Sequence, residues 1–389
     1  MRNFIFACLV AALCTSAAVA ETPAPSSAPV RSAAPVAFVY VSSNPANSST
    51  NRIDAYTASA AGKLTPVTGS PFADDVTSMA VNGKYLFAST RDGIYVAAFR
   101  IGSNGALQWS KSTDIVQFNQ DDCGNSGPLF LDHTGATLYD MEFRGDCSNN
   151  SYRSLAANTS TGQLHNLGSS TPDEWLYLPA SFIGNNVYAY TAGCLGNLYW
   201  EIDGYKRSST GALSRIDIAA RTPTPKSGDF FCPSQTAADL TSHVAITLQA
   251  VNQDFNPDGP ARLATYTADN AGNLRTASTM QNMPTTAVGA VTDLKMDPWG
   301  NLLAVAGAAG LQVFHFNGAN PITADTGLLT KSGIDQMFWD NDHHLYAISQ
   351  SAGKLYVFTI TATSAVQAPG SPYTLAYPQN IVVQPRTSK

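Results

Sequence analysis

The chain has 389 residues and a net charge of −6, and only 13% of its residues are charged. No basic stretch with interleaved aromatic residues occurs, which argues against nucleic acid as a partner. Beyond residue 20 no segment approaches the roughly 20 apolar residues that span a bilayer. We therefore expect a monomer without a transmembrane segment.

Residues 1–20 have the pattern of a signal peptide. Arg2 supplies the positive charge, residues 4–13 form a short apolar run, and Ala18 to Ala20 offer small side chains for cleavage. The alternative is a lipid anchor on Cys14, but the preceding Leu13 is not the small residue that such a site needs. We predict cleavage near Ala20 and export to the periplasm or the extracellular medium.

Residues 21–36 are rich in Pro, Ala and Ser and lack an apolar period, so we predict a flexible linker. Residues 37–389 then form one domain.

Four of the six cysteines lie beyond the predicted signal peptide: Cys123, Cys147, Cys194 and Cys232. An even number in an exported chain indicates two disulfides. Three pairings exist; the local one, Cys123 with Cys147 and Cys194 with Cys232, closes loops of moderate length. Zinc is the alternative, but neither a CxxC motif nor a histidine at ligand spacing supports it.

The domain contains a repeat of about fifty residues. Each unit begins with an apolar strand and a tight turn, as in the Asp-x-x-Gly turns at Asp132 and Asp297. A later hairpin carries a Gly-x-Leu marker, which recurs at Gly62, Gly105, Gly162, Gly211 and Gly272. Seven such units predict an all-β, seven-bladed β-propeller with four-stranded blades.

The two ends of the chain complete each other. Phe38 begins a second strand whose innermost partner is missing, and residues 380–385 form an innermost strand without the rest of its blade. We predict that this C-terminal strand completes the first blade and closes the ring. A pair of β-sandwiches or an open solenoid is the alternative, while Kelch and WD signatures are absent.

These repeats resemble the lactonase-like seven-bladed propellers, which include bacterial 6-phosphogluconolactonase and a fungal muconate-lactonizing enzyme, and the YVTN-type surface propellers. The resemblance covers about residues 38–385. It rests on the two Asp-x-x-Gly turns, on Gly62-x-Leu64, and on three short segments: Phe38-Val39-Tyr40-Val41-Ser42, Ile53-Asp54-Ala55-Tyr56 and Gly69-Ser70-Pro71-Phe72. It implies the fold and suggests a lactone hydrolase. No dependable match exists for the pocket residues of the characterised enzymes, so no catalytic set is carried over.

Ligands of a propeller bind at the mouth of its central channel, beside the entry to each innermost strand. Alignment of the repeats places polar side chains there: Asp293 and Asp335 as candidate catalytic acids, and Thr77, Ser78, Thr292, Gln336, Gln379 and Asn380 as candidate ligand-binding residues. Asp74, Asp75 and Glu174 lie in the preceding loops. Such a rim suits a cation or a hydroxyl-rich neutral ligand better than a phosphorylated lactone, which needs Arg or Lys.

Among the histidines, His243 begins a predicted strand and is the one candidate acid or base. No acidic loop has EF-hand spacing, so no metal or other cofactor is indicated, although carboxylate and amide oxygens would suit a divalent cation. Two functions follow: an exported lactonase-like enzyme acting on a lactone or sugar-derived molecule, or a non-catalytic envelope propeller that binds a glycan or protein. A structural surface protein is a third, weaker alternative. One fold hosts many functions, so the resemblance alone does not establish the activity. We place the lactonase-like enzyme first and the binding propeller second.

Overall fold

The computed structural model describes residues 33–45, 48–118, 122–125, 127–144, 149–172, 176, 178–195, 199–216, 220, 222–226 and 228–387. Residues from Pro35 onward form one compact unit. Within the described residues the unit is a ring of seven antiparallel sheets, called blades 1 to 7, which confirms the predicted propeller. No helix in this part of the chain is long and apolar enough to cross a membrane.

In each blade the strands follow one another from the central axis outward. Blade 1 consists of β31 (Pro378–Pro385), β1 (Ala37–Ser43), β2 (Arg52–Ala58) and β3 (Leu64–Pro66), with β4 (Phe72–Ala73) beside β2. Blade 2 consists of β5 (Val76–Val81), β6 (Tyr85–Thr90), β7 (Tyr95–Ile101) and β8 (Leu107–Asp114), followed by the 3₁₀ turn η1 (Val116–Phe118). Blade 3 consists of β10 (Phe130–Leu131), β11 (Thr137–Arg144), β12 (Asn149–Ala157) and β13 (Leu164–Ser169), with β9 (Asp122–Asn125) beside β11.

The remaining four blades follow the same order. Blade 4 consists of β14 (Ser181–Phe182), β15 (Tyr188–Leu195), β16 (Tyr199–Arg207) and β17 (Leu213–Ile216). Blade 5 consists of β18 (Phe230–Ala238), β19 (His243–Val251), β20 (Arg262–Ala268) and β21 (Leu274–Arg275). Blade 6 consists of β22 (Val291–Met296), β23 (Leu302–Gly307), β24 (Gly310–His315) and β25 (Thr323–Ala324). Blade 7 consists of β26 (Gln336–Trp339), β27 (His344–Ser349), β28 (Lys354–Thr361) and β29 (Ser364–Gln367), with β30 (Tyr373–Thr374) beside β28.

The C-terminal strand closes the ring. β31 pairs antiparallel with β1, so that Val41 lies opposite Ile381 and Phe38 opposite Gln384. The prediction that the two ends of the chain build blade 1 together is therefore confirmed. This pairing satisfies the backbone groups that an open ring would leave at an edge.

The core lies between neighbouring blades, and β1 shows how. Successive side chains of a strand point to opposite faces. Phe38 and Tyr40 pack in a cluster with Leu86 of blade 2, whereas Val39 and Val41 pack in another with Ile348 of blade 7. Strand β1 is thus buried on both faces, which explains why its first five residues, Ala37 to Val41, are apolar or aromatic.

A recurring hydrogen bond joins adjacent blades near the hairpin glycines. A tyrosine hydroxyl on the second strand of one blade donates to the carbonyl oxygen of the Gly-x-Leu glycine in the next. The three bonds are Tyr40 to Gly105 (2.9 Å), Tyr139 to Gly211 (2.8 Å) and Tyr190 to Gly272 (2.8 Å). At Gly105 the backbone has φ of 85°, and an added Cβ would lie 2.7 Å from the Phe38 ring. Glycine is therefore needed there for both conformation and space.

A disulfide joins Cys194 of β15 to Cys232 of β18, and so connects blades 4 and 5. This is one half of the local pairing. Cys147 lies outside the described residues, so the pairing of Cys123 with Cys147 stays a prediction.

Candidate ligand-binding channel

A belt of hydrogen bonds surrounds part of the central channel. It uses one position of the innermost strands, four residues before the first turn, which carries Ser78, Asp293, Gln336 and Asn380. Each of these side chains accepts the backbone N–H of the next blade's innermost strand. In each bond a backbone N–H donates to a side-chain oxygen: Met337 N to Asp293 Oδ2 (2.8 Å), Ile381 N to Gln336 Oε1 (2.7 Å), Met79 N to Asn380 Oδ1 (3.0 Å) and Leu129 N to Ser78 Oγ (2.8 Å). The belt joins blades 6, 7, 1, 2 and 3 in sequence.

These bonds fix the orientation of two amide side chains. A backbone N–H can donate only to an oxygen, so the amide oxygens of Gln336 and Asn380 must face the strands. Their NH₂ groups make no hydrogen bond within the described residues. Both residues line a cavity in the central channel, which is described below. Two predicted ligand-binding residues thus retain donors for a ligand.

Lys295 of β22 is a site residue that the sequence patterns did not indicate. Its ammonium lies 3.1 Å from Asp293 Oδ1, and its backbone carbonyl accepts the indole N–H of Trp339 (3.2 Å) from blade 7. Asp293 is held in turn by Leu294 N (2.9 Å) and Met337 N. About a third of the Lys295 side chain is exposed, against 9% for Asp293. The geometry therefore presents Lys295 to the channel and makes Asp293 its positioning residue.

The cavity has a volume of about 320 Å³, within the range of small-molecule sites. Blades 6, 7 and 1 supply Lys295, Gln336 and Asn380 to its wall. Blades 2, 3 and 4 supply apolar side chains, such as Ala80 and Phe130, together with Ser181. Blades 7 and 1 also place Phe338, Ile381 and Val382 in this wall. The donors, among them the Lys295 ammonium paired with Asp293, suit a carbonyl or carboxylate oxygen.

Lys295 also lines two further cavities toward the first turns, of about 230 and 330 Å³. Among the described residues it is the one lysine or arginine in the walls of these cavities. Lys295 therefore borders all three of these cavities.

The other predicted rim residues lie at or just before the start of their innermost strands. Thr77 is half-buried, and Gln379 accepts a hydrogen bond of 2.7 Å from the Asn51 amide. The Thr292 hydroxyl donates to the Ile334 carbonyl. These three residues are not in the wall of the 320 Å³ cavity, and a role for them in ligand binding stays a prediction.

The acidic rim residues have partners or lie apart from the cavity. Exposed Asp335 accepts the backbone N–H of Gln350 (2.6 Å), and Asp75 accepts that of Asn51 (2.8 Å). Burial raises the pKa of Asp74. A backbone hydrogen bond from Asp75 lowers this pKa by a smaller amount, and the Asp75 carboxylate raises it further. Glu174 lies outside the described residues.

The structure does not bring His243 together with Asp293 and Asp335. His243 begins β19 directly after the first turn, beside Gly318 of blade 6, and lines none of the cavities described above. Its Nδ1 lies 2.8 Å from Asp239 Oδ2, and Thr241 also bonds Asp239. Burial raises the pKa of Asp239, but the hydrogen bonds from Thr241 and His243 outweigh it, so the pKa is lowered. His243 as acid or base stays a prediction without support from this geometry.

Within the described residues no group of three or more His, Cys, Asp or Glu side chains is arranged to hold a metal ion.

No protein-family model and no curated protein matches the sequence. Solved structures match it over most of its length. A periplasmic gluconolactonase of Pseudomonas aeruginosa is 13% identical, with a TM-score of 0.65 over 89% of this chain and 98% of that one. A putative 6-phosphogluconolactonase of Bacteroides uniformis is 10% identical, with a TM-score of 0.63 over 89% and 99%.

A hypothetical selenium-binding protein of Sulfolobus tokodaii is also similar: it is 10% identical, with a TM-score of 0.61 over 90% of this chain and 94% of that one. At such low identities the likeness concerns the fold. The expected resemblance to lactonase-like propellers is confirmed at that level, and the activity has to be argued from the channel.

Proposed function

We propose that this propeller hydrolyses a lactone bound in the 320 Å³ cavity. The observation that carries the proposal is the donor set on one side of that cavity: the Lys295 ammonium and the amide groups of Gln336 and Asn380. Fixed donors aimed at an oxygen that gains negative charge are the usual means of accelerating acyl transfer. The likeness to a gluconolactonase and a putative 6-phosphogluconolactonase favours the same reaction class.

In this proposal the lactone carbonyl oxygen accepts a hydrogen bond from Lys295. Water adds to the carbonyl carbon, and the negative charge that develops on the oxygen is stabilised by the ammonium. The ring C–O bond then breaks, the ring oxygen takes a proton and becomes a hydroxyl, and the acid leaves as a carboxylate with release of one proton to solvent. Asp293 keeps Lys295 in place but does not line the cavity.

A second function, binding without turnover, is favoured by one observation. The wall of the 320 Å³ cavity contains no carboxylate or histidine within the described residues, so no side chain there serves as a general base. A carboxylate ligand would pair with Lys295 directly. In that case hydroxy acids would bind and lactones would not be opened.

We also propose that the protein works outside the cytosol. The signal-like residues 1–20 support export. The Cys194–Cys232 disulfide supports it independently, because such bonds persist in oxidising compartments.

The test is a pH-stat measurement of acid release from a panel of unphosphorylated lactones by the mature protein, with spontaneous hydrolysis subtracted. Lys295→Met keeps the length of the side chain and removes the charge, and we expect it to lower kcat/KM by about 100-fold. Lys63→Met, on an exposed hairpin turn, is the matched control and should keep full activity. Equal rates for the two variants would rule out Lys295 as the oxyanion donor. Absence of turnover, with calorimetric binding of hydroxy acids that needs Lys295, would establish the second function instead.

A further inference from the structure

The wall of the 320 Å³ cavity is divided in polarity across the channel. Its donors come from blades 6, 7 and 1, as described above. The opposite side is built from apolar side chains of blades 2, 3 and 4, among them Ala80, Leu129, Phe130 and Ala180. Blades 7 and 1 also contribute Phe338, Ile381 and Val382, so a bound molecule would meet donors on one side only and hydrocarbon around the rest of the wall.

Ser181 is the polar side chain that blades 2, 3 and 4 contribute to this wall, and it is hydrogen-bonded within the protein. Ser181 donates to the Thr236 carbonyl (2.9 Å), and its oxygen lies 3.1 Å from the Thr236 hydroxyl. Ser78 of blade 2 accepts a hydrogen bond from Leu129 N and is 8% exposed. A polyhydroxylated sugar lactone in this cavity would leave hydroxyl groups against hydrocarbon, and each unpartnered hydroxyl costs binding energy.

Apolar side chains continue along the channel beyond Lys295. The 330 Å³ cavity that shares Lys295 is lined by Met296, Leu240, Pro298 and Phe338. Leu240 is 48% exposed and adds apolar surface to this wall. The apolar lining thus extends past Lys295 into the neighbouring cavity.

We infer that the substrate is a lactone with an apolar alkyl substituent, rather than a sugar lactone. This inference rests on the proposed lactone hydrolysis and specifies the substrate class of that site. The lactone carbonyl binds at Lys295, Gln336 and Asn380, and the alkyl chain lies against the hydrocarbon walls. It departs from the expectation of a hydroxyl-rich ligand, because most residues of the cavity wall offer hydrocarbon rather than hydrogen-bond partners to such hydroxyls.

The test compares the γ-lactone series γ-butyrolactone, γ-hexalactone, γ-octalactone and γ-decalactone with D-glucono-1,5-lactone, again by acid release. Burial of each methylene should raise kcat/KM by about fourfold until the chain outgrows the cavity. Gluconolactone should be opened more slowly than γ-octalactone relative to its own spontaneous rate.

A substitution in the cavity wall tests where the alkyl chain of the substrate lies. Ala80→Leu adds bulk on the apolar side of the 320 Å³ cavity and should abolish the gain in kcat/KM with chain length. Ala237→Leu is the matched control, because Ala237 holds the same register position in blade 5 and lines the 230 Å³ cavity instead. Circular dichroism of both variants checks folding, and the wild-type series tests the inference without either variant.

The outcomes separate the two proposals. Rates that do not depend on chain length, or gluconolactone as the preferred substrate, would overturn the alkyl-lactone inference and leave lactone hydrolysis intact. No turnover of any member would overturn both.

Discussion

The hydroxyl of Tyr40 in blade 1 donates a hydrogen bond of 2.9 Å to the carbonyl oxygen of Gly105 in blade 2, across 65 residues of sequence. Both partners are enclosed between the blades, so loss of the hydroxyl leaves a carbonyl without a donor. We expect Tyr40→Phe to lower the free energy of unfolding by about 1–2 kcal/mol, measured by urea denaturation. Tyr377→Phe is the control: Tyr377 is 51% exposed, and its hydroxyl has no hydrogen bond among the described residues. Equal stability of both variants would show that the bond contributes nothing.

Asp293 is a structural anchor whether or not the channel is catalytic. It accepts two backbone N–H groups and the Lys295 ammonium, and an asparagine can accept on only one of its two terminal atoms. We expect Asp293→Asn to cost about 1–3 kcal/mol of unfolding free energy. Asp335→Asn should change it by less than about 0.5 kcal/mol, because the exposed Asp335 makes one backbone bond that an amide oxygen can replace. A larger loss in the Asp335 variant would contradict this assignment.

The disulfide between Cys194 and Cys232 spans 38 residues and joins two blades. On the chain-entropy model a loop of this length contributes about 3–4 kcal/mol. We expect the Cys194→Ser, Cys232→Ser double variant to unfold at a correspondingly lower urea concentration. Adding a reductant should destabilise the wild type further than the double variant, and identical responses would show that this bond does not form in solution.

Stability should fall in alkaline solution because of the enclosed tyrosines. Burial raises the pKa of Tyr139 to about 12, and the nearby Asp132 carboxylate adds to the shift. The folded state therefore keeps the Tyr139 proton between pH 10 and pH 12, where the unfolded chain loses it. The contribution of Tyr139 is fully present below pH 10 and is lost as pH rises toward 12.

In urea titrations across this range, Tyr139→Phe should reduce the decline in unfolding free energy by up to about 1.4 kcal/mol per pH unit. Tyr377→Phe should leave the slope as it is in the wild type. A slope unaltered by Tyr139→Phe would mean that the group titrates alike in both states.

Much of the fold was predictable because its determinants are local. The hairpin glycines and the turn aspartates act within a few residues, and their spacing revealed the blades. The closure of the ring followed from the incomplete units at Phe38 and Asn380.

The site was less predictable because its contacts are distant in sequence. Asp293 meets Met337 N across 44 residues, so the sequence did not show that its carboxylate is engaged. Lys295 could have been found from its position, two residues after Asp293 on the same face of β22. That face is recognisable as the channel only after the ring is assembled. His243 was a candidate base because it begins a strand. That end of β19 directly follows the first turn of its blade, and His243 does not line the 320 Å³ cavity.

A crystal structure of the protein soaked with 4-hydroxyoctanoate, the product expected from γ-octalactone, would test the ligand-binding role of the channel without relying on turnover. We predict that its carboxylate contacts Lys295 Nζ and the amide nitrogens of Gln336 and Asn380, with the alkyl chain against Ala80 and Phe130. The same soak of Lys295→Met should leave the cavity without the ligand. Density for the hydroxy acid at the outer loops instead, or in the cavity of both proteins alike, would contradict the assignment of Lys295 as the ligand-binding group.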